Sequence, residues 1–256
     1  MIKVKSLSKS FGRKRVLCDI DFDVYDGETL AIIGASGTGK SILLKNIVGL
    51  VKPTQGSIYI DDIEITACSS KELQETQKKL GYVFQEAALF DSLTIEENVA
   101  FGLRTLTKLD DEEISKRVTQ CLHMVGLHNV ELLKPSELSG GMKKRAGLAR
   151  AIAYQPKYIF YDEPTTGLDP IMSDVISDLI INLREHLKVT SIVVTHDMKS
   201  AYKIADRIIM LYQGKIIFSG TPEETKNTDN PVVRQFIEGS GQGPIKTDRT
   251  FDLEEL

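Results

Sequence analysis

The chain has 256 residues, 41% hydrophobic and 27% charged, a length and balance that suit one compact domain carrying an insertion and exclude a largely disordered protein. Its 32 Lys and Arg against 36 Asp and Glu leave a net charge of −4 with no clustered basic stretch, which argues against a nucleic-acid partner. Three scattered cysteines, Cys18, Cys68 and Cys121, lack any CxxC spacing, so neither a disulfide framework nor a zinc site is expected and a reducing compartment is.

No leader-like apolar stretch opens the chain, and no apolar run approaches the ~18 residues of a membrane span. The chain is therefore expected to be soluble by itself, and to need a separate protein to hold it at any membrane.

In chain order, Val16, Cys18, Ile20, Phe22 and Val24 alternate with Leu17, Asp19, Asp21 and Asp23, which predicts a strand with one wet face. With Ser57 to Ile60 it forms an expected antiparallel sheet near the N-terminus. Leu30–Ile33, Tyr158–Tyr161, Ser191–Val194 and Ile208–Leu211 are short apolar runs without alternation, as in parallel strands buried on both faces. Between them, Ile114, Val118, Leu122 and Val125 share a helical stripe stopped by Gly126, and Ile176, Leu179, Ile180, Leu183 and Leu187 share another. Residues 87–154 have little strand character and are expected to be a helical insertion. Gln213-Gly214 predicts a hairpin turn. After Pro231 a short amphipathic piece, Val232 to Ile237, precedes a Gly-rich, acidic end.

Gly34-Ala35-Ser36-Gly37-Thr38-Gly39-Lys40-Ser41 has the spacing of a phosphate-binding P-loop, between an apolar strand and a helix. Its glycines let successive N–H groups turn towards phosphate oxygens, and the helix N-terminus adds its positive end. Lys40 is suited to the β- and γ-phosphates and the Ser41 hydroxyl to Mg²⁺. Asp162 and Glu163 end a buried strand, where an acid pair needs a cation nearby. Asp162 is the expected Mg²⁺-side carboxylate and Glu163 the base for an attacking water; the alternative is a helix-cap pair before Pro164. His196 closes another strand as a candidate phosphate sensor, and Gln85 is placed to reach the metal or the water.

Leu138-Ser139-Gly140-Gly141-Met142 resembles the signature motif of ABC ATPases, and the ordered recurrence of motifs extends the resemblance over roughly the first 225 residues. It implies an α/β fold: a P-loop NTPase core with a mixed parallel sheet, an N-terminal antiparallel β subdomain and a helical insertion. By the same resemblance Phe11 stacks on adenine with Val16 lining that pocket, Gln85 is the Q-loop residue, Gly167-Leu168-Asp169 the D-loop, and His196 the switch histidine. Ser139, Gly140 and Gly141 of one subunit would close on the γ-phosphate held by Lys40 of another, so the resemblance implies ATP, Mg²⁺, a head-to-tail homodimer and integral-membrane permease subunits.

Leu138 to Arg145, with Met142-Lys143-Lys144-Arg145 after the glycines, Ala88 to Thr94 and Tyr161 to Pro170 are similar to bacterial Mla-type ATPases associated with MCE proteins, as is Gly239 to Ile245. This implies phospholipid transport between inner and outer membranes, an MCE-domain lipid-binding partner, and a place on the cytoplasmic face of the bacterial inner membrane. The alternatives are an amino-acid or lipopolysaccharide transporter, or a soluble ABC ATPase in iron–sulfur assembly or DNA repair. The expected organisation is an ABC domain over 1–225 and an extension over 226–256, either a solvating tail or a dimer contact through Phe236 and Ile237.

Overall fold

The computed structural model describes residues 1–246. β1 (Ile2–Phe11) and β2 (Lys14–Val24) form a hairpin, followed by β3 (Thr29–Ile33) and α1 (Lys40–Ile47). β4 (Gln55–Ile60) and β5 (Ile63–Glu64) precede α2 (Ser70–Gln77) and β6 (Leu80–Val83), after which come α3 (Ile95–Leu106), α4 (Asp111–Met124) and α5 (Gly140–Ile152). The chain continues through β7 (Tyr158–Asp162), α6 (Pro170–Leu187), β8 (Thr190–Val194), α7 (Met198–Ile204), β9 (Arg207–Tyr212), β10 (Lys215–Gly220), α8 (Pro222–Lys226) and α9 (Pro231–Glu238).

Two sheets result: an antiparallel one in the order β2-β1-β4-β5 and a six-stranded one in the order β10-β9-β3-β8-β7-β6. The second is parallel except for β10, which returns from β9 through Gln213 and Gly214, both at positive φ. This is the mixed sheet with an antiparallel N-terminal subdomain and helices that the motifs implied.

The apolar runs of β3, β7 and β8 are buried at every position because both faces are covered. Along β7, Tyr158 and Phe160 enter the cluster shared with α1 and the N-terminal sheet, whereas Ile159 and Tyr161 enter the cluster shared with α3, α4, α5 and α6. One strand thus joins two cores.

In β2 the expected alternation breaks. Leu17, assigned to the wet face, is fully buried, and Cys18 is only half-buried. Asp19 takes φ 53°, and between the pairs Leu7–Ile20 and Lys9–Leu17 one extra residue bulges out of β2. That bulge shifts the sides of the residues before it, and a second extra residue between the pairs Lys9–Leu17 and Ser10–Arg15 leaves Val16 half-buried at the edge of the core.

Candidate active site

The phosphate loop lies between β3 and α1. Gly34 has φ +149°, and a Cβ there would sit 2.3 Å from the Leu211 carbonyl oxygen, so the turn out of the sheet beside β9 requires glycine. Gly39 has φ +103° and lies against Val16, whose Cγ1 would be 3.0 Å from a Cβ. No side chain caps α1, so its first-turn N–H groups are directed at the loop with no side-chain acceptor.

Lys40 is buried and turns back over the loop. Its Nζ donates to the Gly34 and Ala35 carbonyls at 2.7 and 3.1 Å and lies 3.6 Å from Glu163 Oε1. Burial pulls the Lys40 pKa down, while the Glu163 and Asp162 carboxylates oppose that shift. Thr38 ties the loop to itself, its hydroxyl donating to Ala35 O at 2.8 Å.

β7 and β8 end side by side and deliver the acids and the histidine. Asp162 is 5% exposed; its Oδ1 accepts from the Ser41 hydroxyl at 2.7 Å and its Oδ2 from the Tyr82 hydroxyl at 3.0 Å. Among the described residues it has no ion pair. Burial and the Asp162 carboxylate push the Tyr82 phenol far up, so it stays a donor to Asp162. Glu163 turns out of the strand at φ 51°, its N–H donating to Val194 O at 2.9 Å. Its Oε2 lies 2.8 Å from His196 Nδ1 and 3.2 Å from the Thr166 hydroxyl. A buried carboxylate and an ammonium thus face one another across the loop, with a histidine at the rim.

An open cleft of about 630 Å³ collects Phe11, Val16, Ser36, Gly37, Gly39, Lys40, Ser41, Gln85, Glu163 and His196. Gly34, Ala35, Thr38 and Asp162 stand behind that lining. Lys14, Ile42 and Thr166 also line it and were not singled out from the sequence. Lys14 was legible: it shares a strand face with Val16 at a spacing of two. Thr166 was not, because its place depends on the turn after Glu163.

Ser139, Gly140, Gly141 and Asp169 do not line the cleft. Ser139 Oγ accepts from Met142 N–H at 3.2 Å as the cap of α5, and Asp169 Oδ1 accepts from Ile171 and Met172 N–H at 2.9 and 3.0 Å as the cap of α6. The two caps are neighbours: a Cβ on Gly141 would come within 2.8 Å of Met172 Cε. One chain therefore carries an open cleft lined by the loop and the strand ends and, elsewhere, a pair of helix N-termini.

A strand–P-loop–helix unit beside an Asp-Glu strand end, with a capped signature helix on a helical insertion, defines a nucleotide-binding ATPase cassette. The chain belongs to the ABC transporter family, whose description matches residues 17–166. It is 43% identical over 244 residues to a probable ribonucleotide transport ATP-binding protein of Mycobacterium leprae, covering 95% of this chain and 70% of that one. It is 42% identical over 246 residues to the intermembrane phospholipid transport system ATP-binding protein of Haemophilus influenzae, covering 96% and 93%. Among solved structures, a dimeric post-hydrolysis ATP-binding cassette holding ADP and phosphate superimposes with a TM-score of 0.81 at 36% identity, covering 87% of this chain and 99% of that one. The protein is thus an ATPase subunit of a transporter, of a kind that dimerises and pairs with membrane permeases. Among the described residues no helix is long and apolar enough to cross a membrane.

Proposed function

We propose that this chain hydrolyses ATP to drive an Mla/MCE-type phospholipid transporter, peripheral to the cytoplasmic face of a bacterial inner membrane. The observation that carries the catalytic reading is the Glu163–His196 contact of 2.8 Å at the rim of the cleft, with Lys40 3.6 Å from the other Glu163 oxygen. Support for the cargo is the likeness to the phospholipid-system relative along 93% of that relative's length.

In this reading Phe11 and Val16 hold the adenine and the loop from Gly34 to Ser41 holds the phosphates. A γ-phosphate entering beside Lys40 competes with the Gly34 and Ala35 carbonyls for its ammonium and draws it from Glu163. Glu163 Oε1 is then free to take a proton from the attacking water, while His196 keeps the carboxylate aimed. The Ser41 hydroxyl and Asp162, oxygen donors 2.7 Å apart around a buried carboxylate without an ion pair, suit Mg²⁺, as does Gln85 on the same cleft. When bound, Mg²⁺ would neutralise charge on the β- and γ-phosphates. Ser139, Gly140, Gly141 and Asp169 complete the site of a second copy, and the permease docks beside the Gln85 loop.

The test is purification of the tagged chain from membranes, identification of its co-purifying subunits, and reconstitution of the complex in phospholipid vesicles. A permease and an MCE-domain protein, with turnover stimulated by fluorescent phospholipid and not by ribonucleotide, are expected. A complex that moves ribonucleotide instead would favour the Mycobacterium leprae relative as the guide to cargo. A chain found only with soluble partners would overturn the transport reading.

A further inference from the structure

The loop after β6 adopts a conformation its own residues do not favour. Ala87 and Ala88 both sit in the left-handed region, at φ 60° and 48°, where a Cβ crowds the backbone and nothing in an alanine side chain compensates. Two such residues in succession persist only when neighbours over-determine them.

Those neighbours lie along α5. The two terminal nitrogens of the Arg150 guanidinium donate separately to Ala88 O and Ala87 O, both at 2.6 Å, a forked grip that a lysine could not reproduce. Two turns earlier, Lys144 Nζ donates to Gln85 O at 3.1 Å. Between them Gly147 leaves room for the loop: a Cβ there would lie 3.1 Å from Ala87 Cβ and 3.4 Å from Ala87 O. The far side of the loop is held by α3, where the fully buried Asn98 accepts from Phe90 N–H at 2.8 Å and donates to Phe90, Leu93 and Thr94 carbonyls.

This strap joins three places that matter. Gln85 lines the nucleotide cleft. The helix that holds its carbonyl begins at Ser139, outside the cleft. Phe84, Phe90 and Phe101, exposed at 37%, 49% or between, surround the strapped segment, with Phe90 and Phe101 in ring contact at 4.9 Å.

We propose that Lys144 and Arg150 are positioning residues: by gripping the carbonyls of Gln85, Ala87 and Ala88 they make the Gln85 loop move with α5, so that displacement of the Ser139 end sets Gln85 in the cleft. The inference rests on the ATPase reading above and adds the link between α5 and the cleft of the same chain. It assigns Lys144 no direct contact with nucleotide.

The test uses the full chain with Lys144→Met, Lys144→Arg and Arg150→Lys. Hydrogen–deuterium exchange of residues 84–90 is read without nucleotide, beside kcat and KM for MgATP and the melting temperature. Lys144→Met and Arg150→Lys are expected to speed exchange in that segment at least fivefold and lower kcat at least fivefold. KM should stay within twofold and the melting temperature essentially unchanged, with Lys144→Arg recovering most of both losses. Unchanged exchange, or faster exchange with unchanged kcat, would overturn the proposal, as would a Lys144→Arg variant no better than Lys144→Met. The exchange measurement needs no turnover, so a wild-type chain that fails to hydrolyse ATP sinks the catalytic reading, and with it the kcat link, separately from the strap.

Discussion

Glu163 meets Lys40, His196 and Thr166 through one carboxylate and stands at φ 51°, so its aim is set by the backbone turn after β7 as much as by its partners. Glu163→Gln keeps the shape and removes the base. ATP affinity should stay within a few-fold while phosphate release falls by about 100-fold or more, the usual contribution of a positioned general base. Phosphate release at the wild-type rate would remove Glu163 from that role. Gly34 answers to sterics alone. Gly34→Ala would push a methyl into the Leu211 carbonyl at a φ alanine avoids, and a loss of about 3 kcal/mol is expected, read as a lowered urea midpoint.

At the scale of elements, periodicity was a good guide where a helix or strand faces one neighbour. Ile114, Val118, Leu122 and Val125 are buried in α4 and its C-cap, and Gly126 follows at φ 68° as the stripe required. α5 buries more than one stripe: Met142 is only half-buried, while Ala146, Gly147, Leu148, Ala149, Ala151, Ile152 and Ala153 are all buried. This helix is enclosed by α3, α4 and β6 together, which no single stripe can report. In β2 the bulge at Asp19 defeated the count of two.

The C-terminal extension is another matter of tertiary contact. Phe236 and Ile237 of α9 pack on the chain's own Ala31, Ile33 and Met210 cluster, so in this structure the apolar side of α9 is used internally. The buried Gln235 then pins residues 240–245: its amide donates to Ser240 and Ile245 carbonyls at 3.2 and 3.0 Å, and its oxygen accepts from Ile245 N–H at 2.6 Å. Gln235→Ala should cost about 2 kcal/mol through the stranded backbone groups and expose 239–246 to protease, read as faster cleavage there by mass spectrometry. A cleavage rate like that of the wild type would show that Ile245 is held by apolar packing alone. Residues 247–256 of the extension, for which a solvating tail or a dimer contact was expected over 226–256, lie outside the described residues.

At the scale of the whole molecule, the cleft lies apart from the paired N-termini of α5 and α6, and the proposed function has a site shared between two copies. Lys40→Met disables the cleft and Ser139→Phe the signature end, so each alone should abolish turnover. Mixed in equal amounts, half of randomly formed dimers pair one of each and hold one intact site of two, so about a quarter of wild-type turnover should return. A mixture as inactive as its components would argue that each cleft works with its own Ser139.

By itself the sequence determined the class of protein. Glycine spacing at 34, 37 and 39, Lys40 and the Asp162-Glu163 pair are local consequences of a turn, a helix start and a strand end, and such chemistry can be read from neighbours in the chain. Only the tertiary structure decided what lies far apart in sequence and close in space. Tyr82 donates to Asp162, Thr166 joins the cleft, and Lys144 and Arg150 take hold of a loop some 60 residues away, at separations of 59 to 63. The physical reason is that a donor aimed at a backbone carbonyl leaves no signature in residue type: any carbonyl accepts, and which one is reached depends on how the sheet and the helices pack.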